Sequence, residues 1–332
     1  MNVTVCAHPF WPSLGGLELT AEAIASGYAQ AGHDVAVVTQ TPSPVEKNWP
    51  FTVYRSPGVL NHFRLFSRSD LVIARHLSIR CCWPMLLLER PFIIWHATWY
   101  RKDERGVSRL LRDRLMRRAV NVANSAAIGQ ALARCDAIIF PGYRSAVFRN
   151  EVPWSDRYRD FIYIGRLARE KGVDLLIDAL AAWPEAALTV VGDGAERAAL
   201  EAQAQRLGLA ERVHFAGRKT PDECNALLNA HKVLIVPSRG NEPFGAVALE
   251  GQAAGCRVVV SSGGGLAEAA GPAGIIFDSG NVGALRDAME AALTPLDDAG
   301  AAARDEHLRR ASFEQSFVAL DGLARAALES GR

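Results

Sequence analysis

The chain alternates short apolar runs with longer stretches whose apolar residues recur every three or four positions. "VTVCA" (3–7) is an unbroken apolar run of strand length, and "HPFWPSLGG" (8–16) reads as a loop. In "LELTAEAIASGYAQAGH" (17–33), Leu17, Ala21, Ile24, Ala25 and Tyr28 share one face of a helix, and Gly32 stands where a helix would stop. "DVAVVTQ" supplies a second strand. Strand, helix and strand with short connections form the pattern of a parallel α/β unit. Further strands are expected at "LVIA" (71–74), "FIIWHA" (92–97), "NVANS" (121–125) and "AIIFP" (137–141), with helical stretches between most of them.

Residues 142–160 are polar, aromatic and interrupted by proline, without a clean period, and read as a linker. At 161 the alternation restarts. "FIYIG", "ALTVVG", "VHFAG" and "VLIVPS" are expected strands, each followed by a helical stretch, and "RVVVSS" and "AGIIFD" complete the series. Helices are expected at 283–293 and 303–329. The predicted fold class is α/β, with two Rossmann-like doubly wound domains that leave a crevice at the carboxyl ends of their strands. The expected boundaries are 1–155 and 156–305, with a C-terminal helix, 306–332, returning to the N-terminal domain.

A length of 332 residues agrees with two domains. With 49% hydrophobic and 22% charged residues, the composition is that of a soluble globular protein. No apolar run reaches the roughly 18 residues of a membrane span. The first residues lack the basic flank of a signal peptide. Six cysteines show no pairing rhythm and no zinc spacing, which agrees with a reduced, cytoplasmic setting. The net charge of +1 conceals an asymmetry, with +7 over residues 1–155 and −6 over the remainder. The segment 101–118 holds eight basic and three acidic residues. It reads equally as a solvated helix face with internal ion pairs or as an attraction for an anionic surface or a phosphorylated acceptor.

Four loops at expected strand ends carry candidate chemistry. Gly15 and Gly16 allow close backbone approach before a helix start, but the loop lacks the third glycine of a dinucleotide fingerprint. Arg166 and Lys171 precede a helix whose dipole they oppose, an arrangement suited to an anion held between them. If a helix begins near Phe244, the amides of Gly245, Ala246 and Val247 are its unpaired donors, ready for a phosphate. Glu242 then lies before that helix and Glu250 two turns inside it, on an apolar face. His96 ends an apolar strand, where structural and functional roles are equally open.

Taken in order, "GGLE", "GRLAREKG", "VVGDG" and the pair Glu242 and Glu250 resemble the retaining nucleotide-sugar glycosyltransferases of family GT4, which have the GT-B fold. The resemblance implies that Arg166 and Lys171 neutralise a donor diphosphate. It implies that Glu242 holds sugar hydroxyls, Glu250 holds ribose hydroxyls, and the amides of Gly245 to Val247 complete the phosphate cradle. Phe244 falls inside the same donor segment. Gly15 and Gly16 match the family's N-terminal glycine loop, His96 a histidine beside the transferred sugar, and Arg218 the start of a loop facing the base. A nucleotide sugar is the implied donor, a glycan or lipid-linked molecule the implied acceptor, and neither metal nor cofactor is expected. Weak membrane contact through 101–118 is a further implied partner, and nucleic acid is not. The family's acid after the histidine is replaced by Ala97, and Arg257 stands where a proline is common. A sugar-nucleotide epimerase and a non-catalytic sugar-nucleotide binder are the alternative readings.

Overall fold

The computed structural model describes residues 1–13, 15–45, 47–100 and 106–330. The chain forms two compact units, one of Met1–Pro141 joined by the chain from Ser316 onward, and one of Gly142–Gln315.

The N-terminal unit is built on seven strands: β1 Asn2–Cys6, β2 Asp34–Thr39, β3 Thr52–Arg55, β4 Leu71–Arg75, β5 Phe92–His96, β6 Val120–Ala123 and β7 Ala137–Ile138. All pair in parallel, in the order β3-β2-β1-β4-β5-β6-β7. Every residue of β4 and β5 is buried, as expected of central strands covered on both faces. Strand β3 gives no apolar run, because it lies at the edge and alternates exposed with half-buried positions. Strand β7 keeps only two paired residues of the expected 137–141 run.

The C-terminal unit carries β8 Arg159–Ile164, β9 Leu188–Val191, β10 Val213–Gly217, β11 His231–Val236, β12 Arg257–Ser261 and β13 Ile275–Phe277. They too are parallel, in the order β10-β9-β8-β11-β12-β13. Phe161, Leu176, Leu180, Val190, Val233, Ile235 and Met289 lie at its core.

Two expectations change. Residues 142–160 are docked structure rather than a free linker. The Arg157 guanidinium is buried and donates to the carbonyls of Leu228, His231 and Ala254, and the Asn229 side chain accepts from the amides of Glu151 and Val152. The expected helix 303–329 is two helices, Asp298–Arg310 and Phe313–Ser330. The break falls at Ala311–Ser312 because Tyr143 takes over the backbone bonds there. Its amide donates to the Ala311 carbonyl and its carbonyl accepts from the Phe313 amide, while the Ser312 hydroxyl accepts from the Gln315 amide.

Each strand order reverses direction once, between β1 and β4 in the first sheet and between β8 and β11 in the second. At such a switch point the two flanking loops diverge, and the carboxyl ends of the strands leave a crevice where doubly wound sheets bind ligands. The loops that follow β1, β4, β8 and β11 are therefore the places to look.

Candidate functional site

In the C-terminal unit the loops after β8 and β11 bring Lys171 and Glu242 together. Lys171 closes a short 3-10 turn, Arg169–Lys171, ahead of the helix Val173–Leu180. Gly172 links the two in the left-handed region at φ 68°, and a Cβ there would stand 2.1 Å from the Pro237 carbonyl oxygen. Only glycine lets the Lys171 turn lie this close to the strand β11 exit. The Lys171 ammonium reaches Glu242 Oε2 at 2.6 Å, with each side chain about four-fifths buried (22% and 19% exposed). The Ser238 hydroxyl donates to the same oxygen at 3.3 Å. The main chain of Glu242 is fixed as well, since its carbonyl accepts from the Gly265 amide and it bridges to Gly264.

The other charges of these loops sort differently. Arg166 pairs with Glu170 at 2.7 Å, with both side chains more than half exposed, a contact of little energetic weight. Asp174 pairs with Arg239 instead, and the Arg239 amide donates to the Glu170 carbonyl. These two contacts tie the loop after β11 to the turn that carries Lys171. Neither Ser238 nor Arg239 stands out in the sequence, because each gains meaning only through loops brought together by the β8–β11 pairing.

The helix beyond Glu242 begins at Ala246, two residues later than the sequence indicates. Gly245 is its N-cap, at φ 90°, where a Cβ would meet Leu266 Cδ2 at 2.4 Å. The Gly245 carbonyl accepts from the Ala248 amide. The amides of Ala246 and Val247 are thus the first-turn donors with no carbonyl four residues behind them inside the helix. Phe244 is 2% exposed, so its side chain belongs to the core and only its backbone can reach a ligand.

Glu250 lies four residues from the helix start, just over one turn, rather than two. It is half-buried, and among the described residues its carboxyl meets no hydrogen-bond donor or cation at bonding distance. Burial pushes that carboxyl up from 4.5 to about 7, against a weaker pull from Arg144. Arg218 follows Gly217 at the end of edge strand β10 and is exposed.

In the N-terminal unit, Gly15 caps the helix Gly16–Gln30 in an extended conformation. Glu18, in the first turn, accepts from the Ser13 hydroxyl at 2.7 Å, and a Cβ on Gly15 would come within 2.8 Å of its carboxylate. This helix start therefore already faces an acid of the chain. His96 ends β5 fully buried, with both ring nitrogens engaged. Asn121 donates its side-chain amide to the carbonyls of Met116 and Ala119, which turns its Oδ1 toward His96 Nε2 at 3.0 Å. Nε2 must then carry the proton, and Nδ1 accepts from the Tyr100 hydroxyl at 2.8 Å. Burial lowers the imidazole from 6.5 to about 4, so it is neutral near pH 7. Residues 101–105 of the basic segment lie outside the described residues. From 107 the segment is the helix Val107–Arg118, with Arg109, Arg114 and Arg117 exposed.

Residues 144–296 match the family model described as "Glycosyl transferases group 1". Curated relatives include an uncharacterized glycosyltransferase of Methanocaldococcus jannaschii, 40% identical over 124 residues, covering 36% of this chain and 32% of that protein. A D-inositol 3-phosphate glycosyltransferase of Corynebacterium urealyticum is 35% identical over 179 residues, 49% of this chain and 42% of that protein. The chain thus matches well under half the length of these relatives. Among solved structures, Anabaena HepE in complex with UDP and glucose superposes with a TM-score of 0.81 at 20% identity, over 98% of this chain and 100% of that one. The sucrose-phosphate synthase of Thermosynechococcus elongatus gives 0.79 at 19% identity, over 99% of each chain. At such identities the likeness is one of fold, and it is that of GT-B glycosyltransferases.

Proposed function

We propose that this chain, whose residues 144–296 match the glycosyl transferases group 1 model, moves a sugar from a nucleotide-diphosphate donor to an acceptor hydroxyl with retention, without a metal. The observation that carries this reading is the Lys171–Glu242 pair at the switch point of the C-terminal sheet, next to the open helix start at Ala246. A cation, two free helix amides and a carboxylate at one strand edge match the two halves of a sugar diphosphate. The HepE structures contain UDP and UDP-glucose, which supports a donor of that class here.

Lys171 takes a diphosphate oxygen, and the Ala246 and Val247 amides take others. Arg166 exchanges its exposed Glu170 partner for the phosphate, a change that costs little because that pair is solvated. Glu242, fixed by its backbone, keeps its carboxylate for sugar hydroxyls. Glu250 receives the ribose hydroxyls, and Arg218 begins the loop that faces the base. In the N-terminal unit Gly15 and Gly16 form a backbone wall, and a substrate hydroxyl replaces Tyr100 on His96 Nδ1.

In the reaction the bond from the anomeric carbon to the diphosphate breaks with oxocarbenium character. The acceptor oxygen bonds that carbon from the same face, and its proton passes to the departing phosphate oxygen. Fixed charge on the leaving group is the main contribution required of the protein.

A thermal-shift panel of UDP-, GDP-, ADP- and dTDP-sugars tests the donor class. One base should raise the melting temperature in the wild type and fail to do so in Lys171→Ala. No response to any donor refutes the reading. For the acceptor, we propose a glycan or lipid-linked molecule met at an anionic membrane surface on the cytoplasmic side. The helix Val107–Arg118 exposes Val107 (70%) and Leu110 (69%) alongside its arginines. No described helix is long and apolar enough to cross a membrane. Co-sedimentation with anionic vesicles at low salt should capture the chain, and its absence removes the membrane from the proposal.

A further inference from the structure

The switch point of the N-terminal sheet holds a second set of groups that the proposed reaction leaves unused. β4 ends in Arg75, which is 3% exposed. Its guanidinium lies over the Trp95 ring at 4.8 Å and donates one bond, from Nη1 to the Trp95 carbonyl at 3.1 Å. Nε is buried without a partner among the described residues. Among the described residues no carboxylate pairs with this cation, and burial alone draws its pKa from 12.5 down to about 9. A buried guanidinium without a counter-charge is a cost that folds rarely carry without return.

The next residue repeats the anomaly. His76 adopts φ 62°, a left-handed conformation uncommon for a residue other than glycine, and its Nδ1 is buried without a partner among the described residues. Its ring stacks on Tyr100 at 4.8 Å. The charged neighbours that shift the nearby imidazoles are all cationic or imidazole: Arg80 for His8, Arg75 and His96 for His76, and Arg75 for His96. Among the described residues no acid shifts Arg75 or these three imidazoles, and Glu18, at the helix start after β1, is engaged by the Ser13 hydroxyl. In the C-terminal unit the corresponding edge carries a cation and a carboxylate that satisfy each other, whereas here the cation is left waiting.

We propose that Arg75 and His76 form an oxyanion-binding site in the N-terminal unit, which takes a phosphate or carboxylate group carried by the acceptor. The Nε–Nη2 edge of a guanidinium offers two parallel N–H donors matched to such a group. His76, in its neutral Nδ1–H form, adds a third. The word acceptor rests on the transferase reading, but the binding of an oxyanion does not, and it is tested without turnover.

The test follows the His76 imidazole resonances by ¹H–¹⁵N NMR at fixed ionic strength. Inorganic phosphate, a hexose 6-phosphate, glucuronate, free hexose and UDP are added to the wild type, Arg75→Gln and His76→Asn. The first three should move His76 in the wild type, and free hexose should not. Arg75→Gln should weaken phosphate binding at least about tenfold, the usual weight of a charged hydrogen bond, yet melt no lower than wild type, because it removes an unpaired buried charge. His76→Asn tolerates the left-handed backbone and should also weaken phosphate. If phosphate, hexose phosphate and glucuronate all leave His76 unmoved, or bind both variants as they bind wild type, the site is refuted. If UDP moves His76 and the hexose phosphate does not, the assignment to the acceptor is overturned.

Discussion

Replacing Glu250 by glutamine should make the unliganded protein more stable above pH 7. The carboxyl sits on the helix Ala246–Ala253 with no hydrogen-bond donor or cation in contact among the described residues, and burial raises it from 4.5 to about 7. In the unfolded chain it returns to the ordinary value. Between pH 4.5 and 7 the folded state holds a proton that the unfolded state has released, so stability falls as pH rises through that window. Each pKa unit corresponds to about 1.4 kcal/mol, so the full difference is about 3 kcal/mol, complete above pH 7 and absent below 4.5. Glutamine has no proton to lose and keeps the shape.

Urea unfolding of both proteins at pH 5.0 and 8.0 measures this directly. The stability gap between variant and wild type should widen by about 2–3 kcal/mol at the higher pH, or by roughly 4–12 °C in the melting of a unit this size. Other groups also titrate, including His231, drawn from 6.5 to about 4 chiefly by burial, but they act on both proteins alike. The nucleotide carries the functional half. If ribose hydroxyls are held by the carboxylate, wild-type affinity for UDP or its counterpart rises with pH through 7, and the variant loses both affinity and that slope. Parallel stability profiles for the two proteins would refute the burial argument. A variant that binds nucleotide as well as wild type would refute the ribose assignment.

Lys171→Ala and Glu242→Ala should each lower transfer by about 10²- to 10³-fold, the usual weight of one fixed charge at a transition state; near-wild-type turnover in both refutes the assignment. Gly172→Ala should destabilise the C-terminal unit by at least about 1–2 kcal/mol from the left-handed backbone alone, and more through the Pro237 contact. Its urea midpoint checks this, and an unchanged midpoint would remove the claim that glycine is required there.

The alternation of apolar runs and helical spacing made both parallel sheets legible, because central strands such as β4, β5 and β11 bury every or nearly every residue. Edge elements were not legible. β3 carries Thr52 and Arg55 among its four residues, and its pairing with β2 alone makes it a strand. The break at Ser312 was hidden because its cause, Tyr143, lies far away in sequence. Of the site, the residues that announce themselves are those whose spacing is local: Arg166 with Lys171, and Glu242 with Glu250. Even there, the partner of Lys171 was not readable, since Glu242 is 71 residues away and competes with nearer acids. His96 shows the same limit, for Asn121 and Tyr100 decide its tautomer and burial, and Asn121 arrives through the pairing of β5 with β6.

The two switch points sharpen what this difference means. A strand that reads "LVIAR" looks like an apolar run meeting solvent at its last residue, yet Arg75 is buried with no acid paired to it among the described residues. Stability alone favours removing such a charge. The C-terminal sheet shows the alternative, a cation and a carboxylate from facing loops that satisfy each other. Among the described residues no acid pairs with Arg75 and the buried Nδ1 of His76 has no partner, the opposite arrangement, which the proposed oxyanion completes. Under the proposed oxyanion site, the N-terminal unit selects against neutral acceptors. A hexose phosphate that outcompetes the free hexose in a transfer assay, with the preference lost in Arg75→Gln, would express that selection as turnover; equal use of both by wild type would refute it.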